Sequence, residues 1–179
     1  MDYINGFVVQ FSGLSLGLHP FDFEIDQRFF DQIEYSEIRN GNIKVHLDFD
    51  KHERMFILDF HISGEIEVIC NRCAELFAYP IQGKERLIVK IGETTPENTE
   101  EDILIISETE YKLDLSGLLY EYISLMLPFR VVHPEDEYGN SKCNPEMIKK
   151  IEEMAPRQQP DPRWDSLKKL INNEQENNN

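Results

Sequence analysis

Apolar and polar residues alternate over most of the first two thirds of the chain. The clearest pair of segments is residues 43–49 and 56–62, and the polar stretch 50–53 between them has the length of a hairpin loop. The alternation continues in three further segments, residues 66–70, 77–81 and 87–91. Because side chains on a strand point alternately to opposite faces, this period predicts neighbouring antiparallel strands.

Shorter elements precede these strands. Residues 7–11 and 21–25 are candidate strands. Residues 26–33 are a candidate short helix, whose inward side chains would be Phe29, Phe30 and Ile33. The N-terminal part of the chain therefore adds strands and one helical turn to the predicted sheet.

A long helix is predicted over residues 114–127. Its apolar residues fall on one helical face, namely Leu115, Leu118, Leu119, Tyr122, Ile123 and Met126. The side chain of Asp114 can cap the first turn, and Pro128 ends the helix. This apolar face suits packing against the sheet.

The composition changes after Pro128 to proline, asparagine, glutamate and lysine. Asn144-Pro145 and Asp161-Pro162 each place a capping residue before a proline, which predicts two short C-terminal helices. The predicted organisation is a single domain of residues 1–155, a proline-rich linker with a short helix in residues 156–171, and a disordered tail of residues 172–179.

The fold class that these elements predict is α+β. It consists of a mainly antiparallel, curved sheet or a partly open β-barrel, one long packing helix and short C-terminal helices. Alternation of apolar residues is the same in an open sheet and in a barrel. The pattern therefore leaves these two architectures open.

The charge of the chain is strongly acidic. It has 18 lysine and arginine residues against 34 aspartate and glutamate residues, which gives a formal net charge of -16. That charge opposes nonspecific binding to phosphate backbones. The sequence contains neither a long apolar run nor an N-terminal leader pattern, so we expect a cytoplasmic protein that does not bind a membrane. We also expect no small-molecule substrate.

The cysteines are the sharpest chemical feature of the sequence. Cys70 and Cys73 are three residues apart at a predicted turn between strands, where two thiolates can face one zinc ion. Cys143 is the third cysteine, and His133 is the histidine nearest to it along the same irregular segment. A closed tetrahedral site made of Cys70, Cys73, His133 and Cys143 is therefore one hypothesis.

Other interpretations of these residues remain open. The cysteines could be free thiols and His133 a solvated loop residue. Thioredoxin-like chemistry fits poorly, because strands surround the pair where that chemistry needs a helix N-terminus. His46 and His61 occupy polar positions of their strands, which is typical of surface histidines. No arrangement of nucleophile, base and acid is evident, so we expect no enzymatic activity.

Three residues are candidates for contacts with RNA or protein. Arg72 lies between the two cysteines, where a bound metal would hold the turn in a defined position. Arg163 and Trp164 lie among several lysines in the C-terminal third. The alternative roles are a salt bridge for Arg72, a core anchor for Trp164 and solvent-facing positions for the basic residues.

Three segments occur in an order and spacing that match a known family. They are Cys70-Asn71-Arg72-Cys73, the Leu-rich helix that ends in Leu127-Pro128, and Asp161-Pro162-Arg163-Trp164. Together with Cys143 they resemble the YceD family of large ribosomal RNA subunit accumulation proteins, over residues 40–170. The resemblance implies metal binding, in which His133 and Cys143 would take part, and it implies contact with nucleic acid.

The leading functional hypothesis follows from this resemblance. It is a noncatalytic, zinc-binding factor that supports accumulation of large-subunit ribosomal RNA by contacting a precursor subunit through its rRNA or a basic ribosomal protein. One alternative is an acidic chaperone for a basic ribosomal protein. Another is a metal-dependent RNA-processing hydrolase, which would need an open coordination position on the metal.

Overall fold

The architecture is that of a computed structural model, which describes residues 6–36, 38–92 and 103–155. Most of the described residues before residue 92 belong to strands. The elements in chain order are β1 (Val8–Val9), a 3-10 turn (Phe11–Gly13), β2 (Gly17–Ile25), α1 (Gln27–Phe30), β3 (Gly41–Lys51), β4 (Met55–Ile69), β5 (Leu76–Ile91), β6 (Ile103–Ile106), β7 (Leu113–Asp114), α2 (Ser116–Leu125) and α3 (Pro145–Met154).

Five strands form one sheet in the order β2-β3-β4-β5-β6. The first four are antiparallel neighbours, as the alternation predicted, and Val45 of β3 lies opposite Ile62 of β4. The apolar run that forms β6 pairs parallel to the end of β5, an orientation that alternation does not indicate. The sheet is open within the described residues, so the mixed α+β prediction is confirmed without a closed barrel.

The core lies on one face of this sheet. The alternate residues of β3 and β4 that point to it are fully buried, including Leu47, Phe49, Phe56, Leu58 and Phe60. Phe29 from α1 and Leu119 and Ile123 from α2 belong to the same cluster of buried side chains. Each large apolar side chain that is fully buried contributes roughly 1.5–3 kcal/mol relative to an exposed one. The predicted packing face of α2 is therefore part of the core.

Helix α2 is shorter than predicted. It covers Ser116–Leu125, whereas the sequence predicted residues 114–127. Leu113 and Asp114 form β7, which pairs with β1, and this pairing keeps their backbone extended. The N-cap residue is Leu115, not Asp114 as predicted, although the Asp114 Oδ1 atom accepts the backbone N–H of Ser116, the first helical residue, at 2.9 Å.

The N-terminal elements also differ in part from the predicted ones. Helix α1 forms within the predicted range, and the Asp26 side chain accepts the backbone N–H of Arg28 at 2.9 Å. The predicted strand 7–11 is only partly extended, because the 3-10 turn begins at Phe11. The predicted strand 21–25 is confirmed and begins earlier, at Gly17.

The chain divides into two compact units between Lys142 and Cys143. In the second unit α3 begins at Pro145, and the Asn144 side chain accepts the backbone N–H of Glu146 at 2.9 Å, as the capping pattern predicted. The predicted linker and helix of residues 156–171 and the tail of residues 172–179 lie outside the described residues. None of the helices described here has the length and apolar character needed to cross a membrane.

The outer face of the sheet carries the polar half of the alternation. Strand register places Asp22, His46, His61 and Lys84 side by side across four strands. The Nδ1 atom of His46 lies 2.7 Å from a carboxylate oxygen of Asp22, and its Nε2 atom lies 3.6 Å from Asp48. The hydrogen bond to Asp22, followed by the charges of both carboxylates, raises the pKa of His46 above 6.5.

We predict that Asp22→Asn lowers the pKa of His46, because it removes the main group that favours the imidazolium. A raised pKa adds stability that is complete below the unfolded value of 6.5 and is lost as the pH rises through the folded pKa. NMR titration of the His46 ring measures this pKa. Asp48→Asn is the control and should lower it less; an equal or larger effect of Asp48→Asn would contradict the assignment.

Candidate metal centre

The first half of the site is the tight turn between β4 and β5. The backbone N–H of Cys70 donates to the Glu75 carbonyl at 2.9 Å, and the N–H of Ala74 donates to the Cys70 carbonyl at 2.9 Å. Ala74 has a φ of 60°, in the left-handed region that reverses the chain sharply. Cys70 and Cys73 are only 1% and 2% exposed. The turn was predicted from the break in alternation, and the structure confirms it.

The second half of the site is the segment after α2, which is fastened to this turn through Asn71. The N–H of Asn71 donates to the Val131 carbonyl at 2.8 Å, and the Asn71 Oδ1 atom accepts the N–H of Val131 at 2.7 Å. His133 follows two residues later. Asn71 thus joins segments that are 60 residues apart, a role that its position between two cysteines did not reveal.

A short loop then returns the chain to the neighbourhood of His133. Glu135 and Ser141 form an antiparallel bridge, and the N–H of Lys142 donates to the Pro134 carbonyl at 3.3 Å. Asp136 holds the tip of the loop by accepting the N–H groups of Tyr138 and Asn140 at 2.9 and 2.7 Å. Cys143 is the next residue after Lys142 in the chain.

The structure brings the four predicted residues together. One ligand atom from each of Cys70, Cys73, His133 and Cys143 lies within 4.8 Å of all the others. The Cys73 sulfur and the His133 Nδ1 atom are 3.3 Å apart. In a tetrahedral zinc site with ordinary bond lengths, neighbouring ligand atoms are roughly 3.4–3.8 Å apart. The cluster is therefore close to the size that a metal ion requires.

The surroundings of Cys70 favour a thiolate. Burial alone would raise its pKa, but the backbone N–H groups of Cys73, Arg72 and His133 and the His133 ring act in the opposite direction. They lower the pKa of Cys70 to about 6. Among these donors the Arg72 nitrogen lies 3.4 Å from the sulfur. A thiolate is the form in which cysteine binds a metal.

The His133 ring stacks on the ring of Phe77. The two ring centroids are 4.3 Å apart, and the planes are inclined by 27°. This stacking restricts the motion of the ring, whose Nδ1 atom lies close to the Cys73 sulfur. The sequence showed Phe77 only as an apolar residue of a strand, so its contact with His133 was not predicted.

The other residues singled out in the sequence do not belong to the Cys3His cluster. His46 and His61 are on the outer face of the sheet, as predicted for surface residues. In the described ranges, no other group of three or more histidine, cysteine or acidic side chains is close enough to hold a metal. Arg72 is exposed on the turn, whereas Arg163 and Trp164 lie outside the described residues.

These features define a small α+β protein with a Cys3His cluster that could hold a metal ion. The chain belongs to the YceD family, described as large ribosomal RNA subunit accumulation protein YceD, which matches residues 58–171. The match includes all four residues of the cluster. No curated protein and no solved structure matches the chain. The family description links the chain to large ribosomal RNA subunit accumulation and to no known class of enzyme.

Proposed function

We propose that this protein is a noncatalytic factor that supports accumulation of large-subunit ribosomal RNA and biogenesis of the large ribosomal subunit, with a structural zinc ion held by Cys70, Cys73, His133 and Cys143. The observation that carries the proposal is the convergence of all four ligand atoms within 4.8 Å in a member of the YceD family. The family match supports the role in rRNA accumulation, and the cluster supports the bound zinc ion.

The composition of the cluster favours zinc in a structural role. Three sulfur ligands and one imidazole nitrogen are a common set for structural zinc, whereas magnesium and calcium prefer oxygen. Four protein ligands complete a tetrahedron. A hydrolytic zinc ion needs a position for water or substrate, so this ligand set argues against the hydrolase alternative.

The metal would fix a segment that has little other support. Between Pro128 and Lys142 only Val131 is a buried apolar residue. The described hydrogen bonds from this segment to the β4–β5 turn centre on Asn71. Zinc would therefore join the end of β4 to residues 131–143 and give the surface around the cluster a defined shape.

The proposed partners are a large-subunit precursor and, within it, rRNA or a basic ribosomal protein. A protein with a net charge of -16 is attracted to basic ribosomal proteins and repelled by bare RNA at long range. We propose Arg72, Arg163 and Trp164 as contact residues and the cytoplasm as the location. The acidic charge also favours a second candidate function, which is an acidic chaperone for one basic ribosomal protein.

Sedimentation of ribosomal particles tests the proposal. In cells that lack the protein, we expect a lower ratio of large-subunit to small-subunit rRNA, restored by the wild-type chain but not by a Cys70→Ser/Cys73→Ser variant. The wild-type protein should also sediment with large-subunit particles. Full restoration of the rRNA ratio by the metal-free variant would favour the chaperone, and an unchanged ratio in cells without the protein would contradict both functions.

A further inference from the structure

An exposed groove lies beside the Cys3His cluster, between the end of β4, the C-terminal half of α2 and the chain that follows it. Its volume is about 500 Å³, and its lining includes Tyr35, Asn71, Tyr120 and Phe129. A second depression shares Ile38, Ile69 and Leu127 with it and adds Arg39 and Glu67. We refer to these two joined depressions as the aromatic groove.

Aromatic side chains in this groove are unusually accessible. Phe129 is 107% exposed and Tyr35 is 71% exposed. The Tyr35 ring meets the Tyr120 ring edge to face, with centroids 5.5 Å apart, so part of this surface is ordered by packing. A fully exposed phenylalanine beside other apolar groups is typical of a binding surface.

The arginines divide into two groups. Arg28, Arg54 and Arg86 each form an ion pair with a carboxylate, at 2.6, 2.7 and 2.6 Å. The other three within the described ranges, Arg39, Arg72 and Arg130, are exposed and have no carboxylate partner among the residues described.

One of these arginines lines the aromatic groove, and the other two are next to lining residues along the chain. Arg39 lines it, Arg72 follows the lining residue Asn71, and Arg130 lies between the lining residues Phe129 and Val131. Asn71 and Val131 are hydrogen-bonded to each other, which joins the chain segments that carry Arg72 and Arg130. Among the described residues that line either depression, Glu67 is the only one with a carboxylate, although the chain has 34 acidic residues. The described lining is therefore poor in negative charge on an acidic protein, and three exposed arginines lie in it or next to it along the chain.

We infer that the aromatic groove binds an unpaired segment of RNA, with exposed bases stacking on Phe129 and Tyr35 and phosphates contacting Arg39, Arg72 and Arg130. The inference rests on the proposed function and names its RNA-binding surface. Recognition of single strands combines aromatic platforms with cationic groups along the backbone. Duplex RNA cannot use the platforms, because its bases are already stacked within the helix.

The test is fluorescence anisotropy of a labelled single-stranded oligoribonucleotide of about 12 nucleotides with the full chain at low salt. We expect tighter binding than to a duplex of equal length. Arg39→Gln/Arg72→Gln/Arg130→Gln should reduce the slope of log affinity against log salt by about 2, at roughly 0.7 per phosphate contact. Phe129→Ala should weaken binding roughly tenfold through loss of stacking.

Matched controls remove the same charge and the same type of side chain elsewhere. Arg28→Gln/Arg54→Gln/Arg86→Gln also removes three positive charges, and Tyr111→Ala removes another exposed aromatic ring; both should bind RNA like the wild type. Equal losses in the two arginine triples, or equal affinity for single-stranded and duplex RNA, would overturn the inference. Zinc content of each variant must match the wild type.

Sedimentation separates this inference from the proposed function. If the wild-type protein sediments with large-subunit particles but binds no oligoribonucleotide, the groove inference fails and the proposed function stands. If Arg39→Gln/Arg72→Gln/Arg130→Gln no longer sediments with the particles but binds the oligoribonucleotide like the wild type, the groove contacts a protein. The RNA inference is then wrong. If the wild-type protein neither sediments with particles nor affects rRNA levels, the proposed function itself fails.

Discussion

Cys70→Ser is expected to abolish zinc binding and to loosen residues 128–143 while the five-stranded sheet stays folded. The Cys70 sulfur lies within 4.8 Å of the other three ligand atoms and receives several backbone N–H groups, so its loss removes one of the four ligands. A serine hydroxyl is a poor ligand for zinc at neutral pH. Affinity should fall by at least about 100-fold, since loss of a group that only orients a ligand already costs 10- to 100-fold.

The effect should be local because the metal centre and the main core are separate. The connected cluster of buried apolar residues contains Phe49, Phe56 and Phe60 but none of the three cysteines. The sheet therefore retains its own source of stability. Residues 128–143 lose their main constraint and can open without unfolding the strands, as regions with few buried contacts commonly do.

Three measurements test this expectation together. Elemental analysis should give about one zinc per wild-type chain and almost none in Cys70→Ser, since one tetrahedral site binds one ion. Circular dichroism should be nearly unchanged, whereas limited proteolysis should cut the variant faster within residues 128–143. His133→Ala should behave like Cys70→Ser, and His61→Ala should keep its zinc. Complete unfolding of Cys70→Ser would contradict the separation of core and metal centre.

The strands were predictable because their signal is local. Alternation in residues 43–49 and 56–62 depends only on which face is buried, and β3 and β4 formed there. The parallel pairing of β6 and the two-residue pairing of β1 with β7 are set by contacts distant in sequence. The pairing of β7 with β1 also removes Asp114 from the predicted helix, and α2 begins at Ser116.

The candidate metal site was also predictable in part. The spacing of Cys70 and Cys73 predicted a turn with two thiols. His133 and Cys143 were proposed as the other two ligands because they lie close together in one irregular segment. The exposed arginines in the groove and next to it gave no such signal. Arg39, Arg72 and Arg130 are far apart in sequence, and only their exposure and lack of described ion pairs distinguishes them from Arg28, Arg54 and Arg86.

Gly64→Ala is expected to destabilise the whole first unit. Gly64 lies in the middle of β4, opposite Ile43 of β3 and Ile81 of β5, and its φ is +156°. A Cβ atom added there would overlap the Asn42 carbonyl oxygen and lie 2.7 Å from the Ile43 Cα atom. Both are backbone atoms of a paired strand, so no side-chain rotation can relieve the contact.

We predict a loss of about 3 kcal/mol in the free energy of unfolding for Gly64→Ala, near the upper end of what overpacking costs. Chemical denaturation measures it as a lower midpoint. Gly92→Ala is the matched control: an added Cβ atom meets nothing within 4 Å there, so the change should stay within about 0.5 kcal/mol. Equal midpoints for the two variants would show that β3 can move away from Gly64.

Gly64→Ala and Cys70→Ser should have opposite effects on zinc content and on the stability of the sheet. This contrast tests whether the sheet and the metal centre are stabilised independently. Gly64→Ala weakens the sheet, but its folded fraction should still hold about one zinc per chain, because the four ligands are unchanged. Cys70→Ser removes the zinc and leaves the sheet folded. If Gly64→Ala also released zinc from folded protein, the β4–β5 turn would depend on the register of β3 and β4, and the sheet and the metal centre would be one cooperative unit.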